Sequence, residues 1–255
     1  MSMIRSIILG FVFSIISVTA ALADSRFTPN FDRVWPIGYI KAQNQFESDI
    51  AKDTLNGGYI FVVRHAHREK WIDVTMYDAL EAITQGAEDS YYEKAVCLSE
   101  RGKVQAKVMG ELIKHIELPI GELISSLSCR ARQTASLTFG RQPDKLYGRL
   151  LHYYGDPYGP FEEDRANHYV NVKKILLNHA PKGKFNTIIS AHNNTIVNDM
   201  LDGVVENGHT KVSEIDTTLE EGGFHLLKVV DGKLLWVAKY HNFQGYINKF
   251  LKRPN

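Results

Sequence analysis

The sequence predicts an α/β protein, a three-layer α/β/α sandwich built on a mostly parallel central sheet. Short apolar runs typical of buried strands occupy residues 58–63 and 187–191, and ELISS, residues 122–126, is the strand between them. Segments with the apolar spacing of helices separate these runs, and such alternation is typical of a parallel sheet with helices on both faces. Near the C-terminus, two apolar runs joined at Asp231-Gly232 instead predict an antiparallel hairpin.

In the first half of the chain, helical segments flank the first strand. Residues 40–55 carry apolar side chains at roughly helical spacing, and Asn56-Gly57-Gly58 supplies a stop before the strand. We interpret residues 71–96 as an insertion. The next helix begins near Ser99, and its apolar stripe consists of Val104, Val108, Leu112 and Ile113.

The second half of the chain continues the alternation of strand and helix. The segment CRARQTASLTFG, residues 129–140, predicts a helix that ends at its glycine. Residues 145–151 are a third strand candidate, followed by a loop rich in turn residues at 152–165. Two further helices are predicted, at residues 168–180 and 194–201.

The N-terminus has the three-part pattern of a secretory signal peptide. Arg5 precedes the apolar stretch IILGFVFSIISVTA, and the small-x-small tripeptide Ala21-Leu22-Ala23 stands before Asp24. We expect residues 1–23 to be a signal peptide and residues 24–255 to form a single exported domain, periplasmic or secreted. An uncleaved anchor is the less favoured alternative. No later segment is long and apolar enough to predict a membrane span.

Composition describes an ordinary globular protein. The chain has 255 residues, of which 44% are hydrophobic and 23% are charged, with a formal net charge of +1. A near-neutral balance of this kind excludes a general nucleic-acid or membrane-surface footprint, so any affinity for anions must be local. Composition does not indicate an oligomeric state.

A local cluster of cationic groups occurs at the ends of the predicted strands. The first strand is followed by Arg64, His65 and Arg68, Arg130 lies just inside the helix after the second, and His192 follows the strand at 187–191. Because ligand sites of such sheets lie beyond the carboxyl ends of the strands, we expect these side chains to converge. Guanidinium groups match phosphate oxygens in bidentate fashion, so the sequence predicts a cup for a phosphate-like dianion.

The same residues make the chain resemble the histidine phosphatase superfamily, which has the phosphoglycerate mutase-like fold. The Arg-His-Gly signature is present as Arg64-His65-Ala66, and the Arg-Ala-x-Gln-Thr-Ala signature as residues 130–135. The late strand-then-histidine element is IISAHNNT, residues 188–195. The Leu-Ser-x-x-Gly-x-x-Gln-Ala element is present as Leu98, Ser99, Gly102, Gln105 and Ala106. The four elements occur along the chain in the order found in the family and cover Tyr59 to about Val229, most of the chain after the signal peptide.

The resemblance implies a reaction and a set of roles. His65 would be the nucleophile that forms a phosphohistidine, and the catalytic His192 would hold phosphoryl oxygens together with Arg64, Arg68 and Arg130. The surrounding arginines would lower the pKa of His65 and keep its ring neutral. Neither a metal nor another cofactor is implied.

The general acid is the least certain part of the predicted site. Acid phosphatases of the family have Asp after the second His, whereas this chain has Asn193, which carries no titratable proton. In mutase-like members the donor is a Glu in the loop after the third strand, and Asp156 is the leading candidate there, followed by Glu162 and His152. An equally good interpretation of Asp156 is a turn cap before Pro157. Ala66 in place of Gly indicates a backbone conformation open to a residue with Cβ.

The two cysteines, Cys97 and Cys129, leave alternatives open. An exported pair can form a disulfide, and two buried thiols are nearly as plausible. The pieces RHAxR, CLS and RLLxxxG look similar to exported lipopolysaccharide core heptose phosphatase-like members. Since Cys97 precedes Leu98-Ser99 and Cys129 precedes Arg130, a disulfide would brace the phosphate pocket if both loops border it.

We expect a small-molecule or sugar-linked phosphomonoester as substrate, with no nucleic-acid partner. A phosphate-binding pseudoenzyme with little turnover is the alternative, because Asp is missing after His192; mutase activity fits poorly with export. Aromatic residues of the 152–165 loop could line a sugar face, although loop packing is the commoner explanation. We expect His67 to lie at the rim or behind the site. The remaining histidines singled out as surface or structural are His115, His179, His209, His225 and His241.

Overall fold

The structure is a computed structural model, and it describes residues 45–68, 97–151, 165–205 and 211–247. All of these residues belong to one compact unit, Lys41–Asn255. The predicted signal peptide, the insertion at 71–96 and nearly all of the loop at 152–165 lie outside the described residues. The signal peptide, the domain boundary at residue 24 and export therefore stay predictions.

A seven-stranded sheet forms the centre of the fold, in the order β3-β2-β4-β1-β6-β7-β5. The pairs β3-β2, β2-β4, β4-β1 and β5-β7 are parallel, and β1-β6 and β6-β7 are antiparallel. This confirms the mostly parallel sheet that the sequence predicts. The strands are β1 Ile60–Arg64, β2 Ile120–Ser126, β3 Lys145–Tyr147, β4 Asn186–Ala191, β5 Gly203–Val204, β6 Phe224–Val230 and β7 Lys233–Tyr240.

Helices cover both faces of this sheet. In β1, Ile60 and Val62 pack in one buried cluster with Leu176 of α4, whereas the alternate residue Phe61 packs against Phe224 and against Tyr246 of α5. Successive strand residues point to opposite faces, so α4 and α5 lie on opposite sides and the three-layer prediction is confirmed. The helices are α1 Gln45–Asp53, α2 Glu100–His115, α3 Cys129–Phe139, α4 Arg165–Asn178 and α5 Phe243–Ile247.

The hairpin predicted at Asp231-Gly232 is confirmed. Asp231 has φ 50° and Gly232 has φ 73°, the two consecutive left-handed residues of a tight turn between antiparallel strands. Register runs from Val230 opposite Lys233 back to Phe224 opposite Tyr240. Because Phe224 also pairs with Val63, the C-terminal end of β7 lies at the same end of the sheet as Arg64.

The prediction of a helix at residues 194–201 is wrong. The segment contains only a short 3-10 helix at Asn198–Met200. Thr195 prevents a regular start because its Oγ1 accepts a hydrogen bond from the His192 backbone N–H and donates to the His192 carbonyl, and Asn194 has φ 58°. Side chain to backbone bonds of this kind compete with helix formation.

The strand predicted at 145–151 is too long. It pairs with β2 only as far as Tyr147 opposite Ser126, where β2 itself ends. Gly148–Leu150 then forms a 3-10 helix. Among the described residues, no helix is long and apolar enough to cross a membrane.

Candidate active site

The site lies where the carboxyl ends of β1 and β4 meet. These strands are parallel, with Arg64 opposite Ala191, so the residues that follow each strand become neighbours. The His65 backbone N–H donates to the Ala191 carbonyl at 3.0 Å. The rings of His65 and His192 consequently face each other with centroids 5.4 Å apart.

His65 is held in one orientation by a single hydrogen bond. Its Nδ1 lies 2.8 Å from the Ala66 carbonyl oxygen, which can only accept, so Nδ1 carries the proton in the neutral ring. The lone pair of the neutral tautomer is then on Nε2. The side chain is 2% exposed, and this burial, followed by the positive charge of Arg130, lowers the pKa of His65 well below its usual value. A neutral ring with an unprotonated Nε2 is the form that can act as a nucleophile.

The three predicted arginines surround His65. Arg130 is the second residue of α3 and is 6% exposed, and the N-terminal end of that helix adds positive potential at the same place. The charges of Arg64 and Arg68 also lower the pKa of His65, after that of Arg130. The structure thus brings together all of the predicted phosphate-binding residues.

α2 supports the loop after β1 through its first two turns. The His67 backbone N–H donates to Gln105 Oε1 at 2.8 Å, and His67 Nδ1 lies 2.7 Å from Ser99 Oγ, which also caps the helix by accepting from the Gly102 N–H. A Cβ on Gly102 would stand 1.9 Å from the His67 carbonyl oxygen, so only glycine permits this approach. His67 therefore lies behind the site, as the sequence predicts.

α3 supports the same loop from the other side. The Ala66 N–H donates to Thr134 Oγ1 at 2.9 Å, and the Leu98 N–H donates to Gln133 Oε1 at 2.8 Å. Ala66 is fully buried against Leu98 and Ala106 and has no positive φ, consistent with the backbone conformation that its Cβ indicates. Thr134 thus holds the backbone next to His65, and Gln133 holds the segment that precedes α2.

Two serines near His192 were missed by the sequence analysis. His192 Nε2 lies 2.9 Å from Ser126 Oγ at the end of β2 and 3.2 Å from Ser128 Oγ, the N-cap of α3. The parallel pairing of β2 with β4 places the ends of both strands together, so strand order would have indicated this contact. The serine hydroxyls fix the His192 ring at the edge of the cup.

The turn before β6 was also missed. Asn193 Oδ1 accepts a hydrogen bond from the Leu219 N–H at 2.7 Å, the Leu219 carbonyl accepts one from Arg64 Nη1, and Glu221 Oε1 lies 3.8 Å from Arg64 Nη2. The antiparallel pairing of Val63 with Phe224 places the start of β6 beside the end of β1. This cross-strand register places the turn beside the site, and the sequence does not reveal it.

Cys97 and Cys129 form a disulfide with their Cα atoms 4.8 Å apart. It joins the segment before α2 to the first residue of α3, directly before Arg130. The disulfide, the favoured of the two predictions for these cysteines, is confirmed, and both residues are buried.

The candidates for the general acid cannot be placed. Asp156, Glu162 and His152 lie outside the described residues, as do the aromatic residues of their loop. Within the described ranges, no group of three or more His, Cys, Asp or Glu side chains is arranged to hold a metal ion. His179 and His225 are buried with hydrogen-bond partners, and His115 and His241 are exposed, whereas His209 is not described.

A polar cavity of about 520 Å³ lies beside the turn that follows His192. Its lining includes Asn194 of the turn after His192, Thr217 of the segment before β6, and Tyr169 of α4. The Tyr169 hydroxyl donates to the Asn194 carbonyl at 3.3 Å, which ties α4 to this turn. The remaining lining residues are Arg165, Val197, Asn198 and Asp199.

Comparison with known proteins finds no matching family model. No curated protein matches the chain either. Similar solved structures include the protein histidine phosphatase SixA complexed with tungstate, 13% identical, with 71% of this chain and 95% of that chain covered and a TM-score of 0.42. A phosphoserine phosphatase mutant from Entamoeba histolytica is 14% identical, with 73% and 98% covered and a TM-score of 0.44.

A putative alpha-ribazole-5'-P phosphatase from Escherichia coli is 12% identical, with 72% of this chain and 97% of that chain covered and a TM-score of 0.44. At identities and TM-scores this low the likeness carries no argument, so the resemblance to the histidine phosphatase superfamily, and to its lipopolysaccharide-related subtype, rests on the sequence motifs. Likeness with TM-scores this low says nothing about the reaction of this chain, which must be argued from its own residues.

Proposed function

We propose that this chain is an exported histidine phosphatase that hydrolyses a phosphomonoester through a phosphohistidine on His65. The observation that carries the proposal is the buried, neutral His65 with its Nε2 lone pair free and its Nδ1–H donated to Ala66 O at 2.8 Å. Burial of such a ring among Arg64, Arg68 and Arg130 is costly unless an anion occupies the cup. Export rests on the N-terminal sequence pattern alone.

In the first step, the phosphoryl group of the substrate lies among the arginines and His192. Nε2 of His65 attacks phosphorus, the N–P bond forms and the bond from phosphorus to the ester oxygen breaks. Nδ1–H and the Ala66 carbonyl stabilise the charge that develops on the ring. The leaving oxygen takes a proton from a general acid, for which Asp156 remains the predicted donor.

In the second step, water attacks phosphorus and gives a proton back to the general acid that was deprotonated in the first step, the N–P bond breaks, and inorganic phosphate leaves with His65 restored. Guanidinium groups supply the positive charge that a metal ion supplies in other phosphoryl-transfer sites, so we propose that the reaction needs no metal. The leaving group would extend toward the polar cavity lined by Tyr169 and Asn194, whose hydrogen-bonding groups suit a hydroxylated or sugar-linked moiety.

The test is hydrolysis of p-nitrophenyl phosphate by the chain from Asp24 onward, in excess chelator. Wild type should turn over, and His65→Ala should reduce kcat/KM by about 10³-fold or more because the variant lacks the proposed nucleophile. His115→Ala, which removes an exposed histidine, serves as the matched control and should behave as wild type. Equal turnover by His65→Ala would overturn the proposal.

The alternative is a phosphate-binding pseudoenzyme of the same fold. Asn193 favours it, because its Oδ1 is used by the Leu219 N–H and its amide has no titratable proton. Aryl phosphates separate the two functions, since a good leaving group needs little protonation. An enzyme with a weak acid still cleaves them, whereas a pseudoenzyme binds inorganic phosphate or vanadate without turnover.

A further inference from the structure

The guanidinium of Arg64 has only part of its hydrogen-bonding capacity used by the protein. Nη1 donates to the Leu219 carbonyl, and Nη2 lies 3.8 Å from Glu221 Oε1, with 23% and 18% of the two side chains exposed. The third position, Nε, is buried and has no hydrogen-bond acceptor among the residues that the structure describes. A buried N–H on a charged group without an acceptor is costly, so this edge of Arg64 is suited to an incoming anion.

The turn that holds Arg64 is itself fixed from both sides. Asn193 accepts from the Leu219 N–H at 2.7 Å, and Gln105 Nε2 donates to the Glu221 carbonyl at 2.9 Å. The Gly222 N–H is shared between the carbonyls of Arg64 at 3.2 Å and His65 at 3.1 Å. Gly222 has φ +81°, and a Cβ there would meet Gln105 Nε2 at 2.6 Å, so glycine is required for this packing.

We propose that the Leu219–Gly222 turn aims Arg64 at the phosphoryl group, with Glu221 and Asn193 as its positioning residues. The turn binds Nη1 through the Leu219 carbonyl and attracts Nη2 through the Glu221 carboxylate, and the buried Nε–H keeps no acceptor among the described residues. This inference rests on the proposed function, because it assigns Arg64 a donor for the phosphoryl oxygen. The inference also assigns a role to Asn193, whose Oδ1 holds the turn by accepting the Leu219 N–H and supplies no proton.

The charge of Glu221 sets the orientation of Arg64 without neutralising the whole cup. Burial lowers the pKa of the Arg64 guanidinium, and the charges of Glu221 and then Glu220 oppose that shift. Loss of the carboxylate therefore frees Arg64 to rotate away from the position that matches the transition state. The main loss should fall on kcat rather than KM, because ground-state attraction by the remaining arginines persists.

A double-mutant cycle between Arg64 and Glu221 tests this coupling. Glu221→Gln should lower kcat for p-nitrophenyl phosphate about tenfold and change KM less than threefold. In an Arg64→Ala background the same substitution should change kcat less than about twofold, because there is no guanidinium left to aim. Glu214→Gln makes the same charge change at an exposed residue outside the turn and should match its parent in both backgrounds.

Asn193 is tested by one truncation and one conservative change. Asn193→Ala should lower kcat about tenfold, whereas Asn193→Asp keeps the acceptor for the Leu219 N–H and should stay within about threefold of wild type on aryl phosphates. Chemical denaturation of each variant checks that it is folded. Full activity of Asn193→Ala, or equal effects of Glu221→Gln with and without Arg64, would overturn the inference.

Binding of vanadate, which mimics the transition state of phosphoryl transfer, is measured by calorimetry and separates this inference from the proposed function. If wild type lacks turnover, the proposed hydrolysis fails, and the coupling is still read from the vanadate affinity. Glu221→Gln should weaken vanadate binding at least about threefold when Arg64 is present and leave it unchanged in Arg64→Ala. Tighter or unaltered binding by Glu221→Gln would mean that the carboxylate does not position Arg64.

Discussion

At the scale of single residues, the chemistry of the site depends on the protonation of His65. The ring is buried and adjoins Arg130, and both effects disfavour the imidazolium, while the Ala66 carbonyl opposes them. A group with a lowered pKa keeps its neutral, nucleophilic form as the pH falls below 6.5. The enzyme should therefore retain its nucleophile under mildly acidic conditions.

NMR titration of the imidazole nitrogens measures this directly. We expect the His65 ring of the phosphate-free protein to stay neutral, with its proton on Nδ1, well below pH 6.5. Arg130→Ala should raise the pKa of His65 toward its usual value, because it removes the guanidinium whose charge most opposes protonation of the ring. His115, which is exposed, provides an internal reference. Protonation of His65 at or above pH 6.5 in wild type would contradict this account.

The sequence predicts the charged residues of the site better than the residues that hold them. Arg64, His65, Arg130 and His192 can be found because each follows a strand whose end must meet the others at one edge of the sheet. Glu221 cannot be found in this way, because its place beside Arg64 depends on the register of an antiparallel strand. Short-range patterns contain no information about that register.

At the scale of elements, the two helices that follow β1 and β2 act as supports for the His65 loop. α2 and its N-cap supply Ser99, Gly102 and Gln105, and α3 supplies Thr134. The Leu-Ser-x-x-Gly-x-x-Gln-Ala element is thereby explained by contacts with one loop. None of its hydrogen bonds requires a phosphate.

Gly102→Ala tests the support from α2. Alanine normally favours a helix over glycine, but here the new Cβ would stand 1.9 Å from the His67 carbonyl oxygen. We expect a loss of about 1–3 kcal/mol in unfolding free energy together with reduced kcat, because the loop must move. Lys107→Ala, on the exposed side of the same helix, should change neither. Urea denaturation and initial rates measure both effects, and an unaltered Gly102→Ala protein would refute the support.

The disulfide links these same two helices near their starts. Its 32-residue separation predicts a contribution of about 3–4 kcal/mol from restriction of the unfolded chain. The double variant Cys97→Ser, Cys129→Ser should lose that stability, and its kcat should fall because Arg130 directly follows Cys129. Denaturation of oxidised wild type, reduced wild type and the variant gives the comparison. Equal stability and activity of all three would show that the disulfide does not brace the site.

Element boundaries show where sequence patterns fail. Residues 194–201 have the apolar spacing of a helix, yet Thr195 binds both backbone groups of His192 and leaves only Asn198–Met200 as a 3-10 helix. A local side-chain preference prevails there over periodicity. The central strands, by contrast, are predicted well because they are buried and contain short runs of apolar residues.

At the scale of the whole molecule, buried neutral histidines make stability depend on pH. His225 accepts from Trp236 Nε1 and donates its Nε2–H to the Thr217 carbonyl, and burial lowers its pKa to about 4. The unfolded chain binds this proton below about pH 6.5 and the folded protein does not, so stability is lost as the pH falls from about 6.5 to 4. His65 contributes with the same sign.

Denaturation at pH 7 and pH 4 tests this dependence. The shift of His225 alone corresponds to a loss of about 3 kcal/mol over that range. His225→Gln should be less stable at pH 7 but should lose about that much less on acidification, whereas His115→Gln should keep the wild-type dependence. A pH dependence that is unchanged in His225→Gln would show that this histidine is not the cause.

The most direct test of the account is to trap the phosphoenzyme and identify the nitrogen that carries phosphorus. The chain is mixed with a ³²P-labelled aryl phosphate, quenched in alkaline denaturant, in which phosphohistidine survives, and digested. Because Nδ1 of His65 donates to the Ala66 carbonyl, the account predicts label on Nε2 of the peptide that contains His65, and none in His65→Ala. Label on Nδ1, or turnover that persists in His65→Ala, would contradict it.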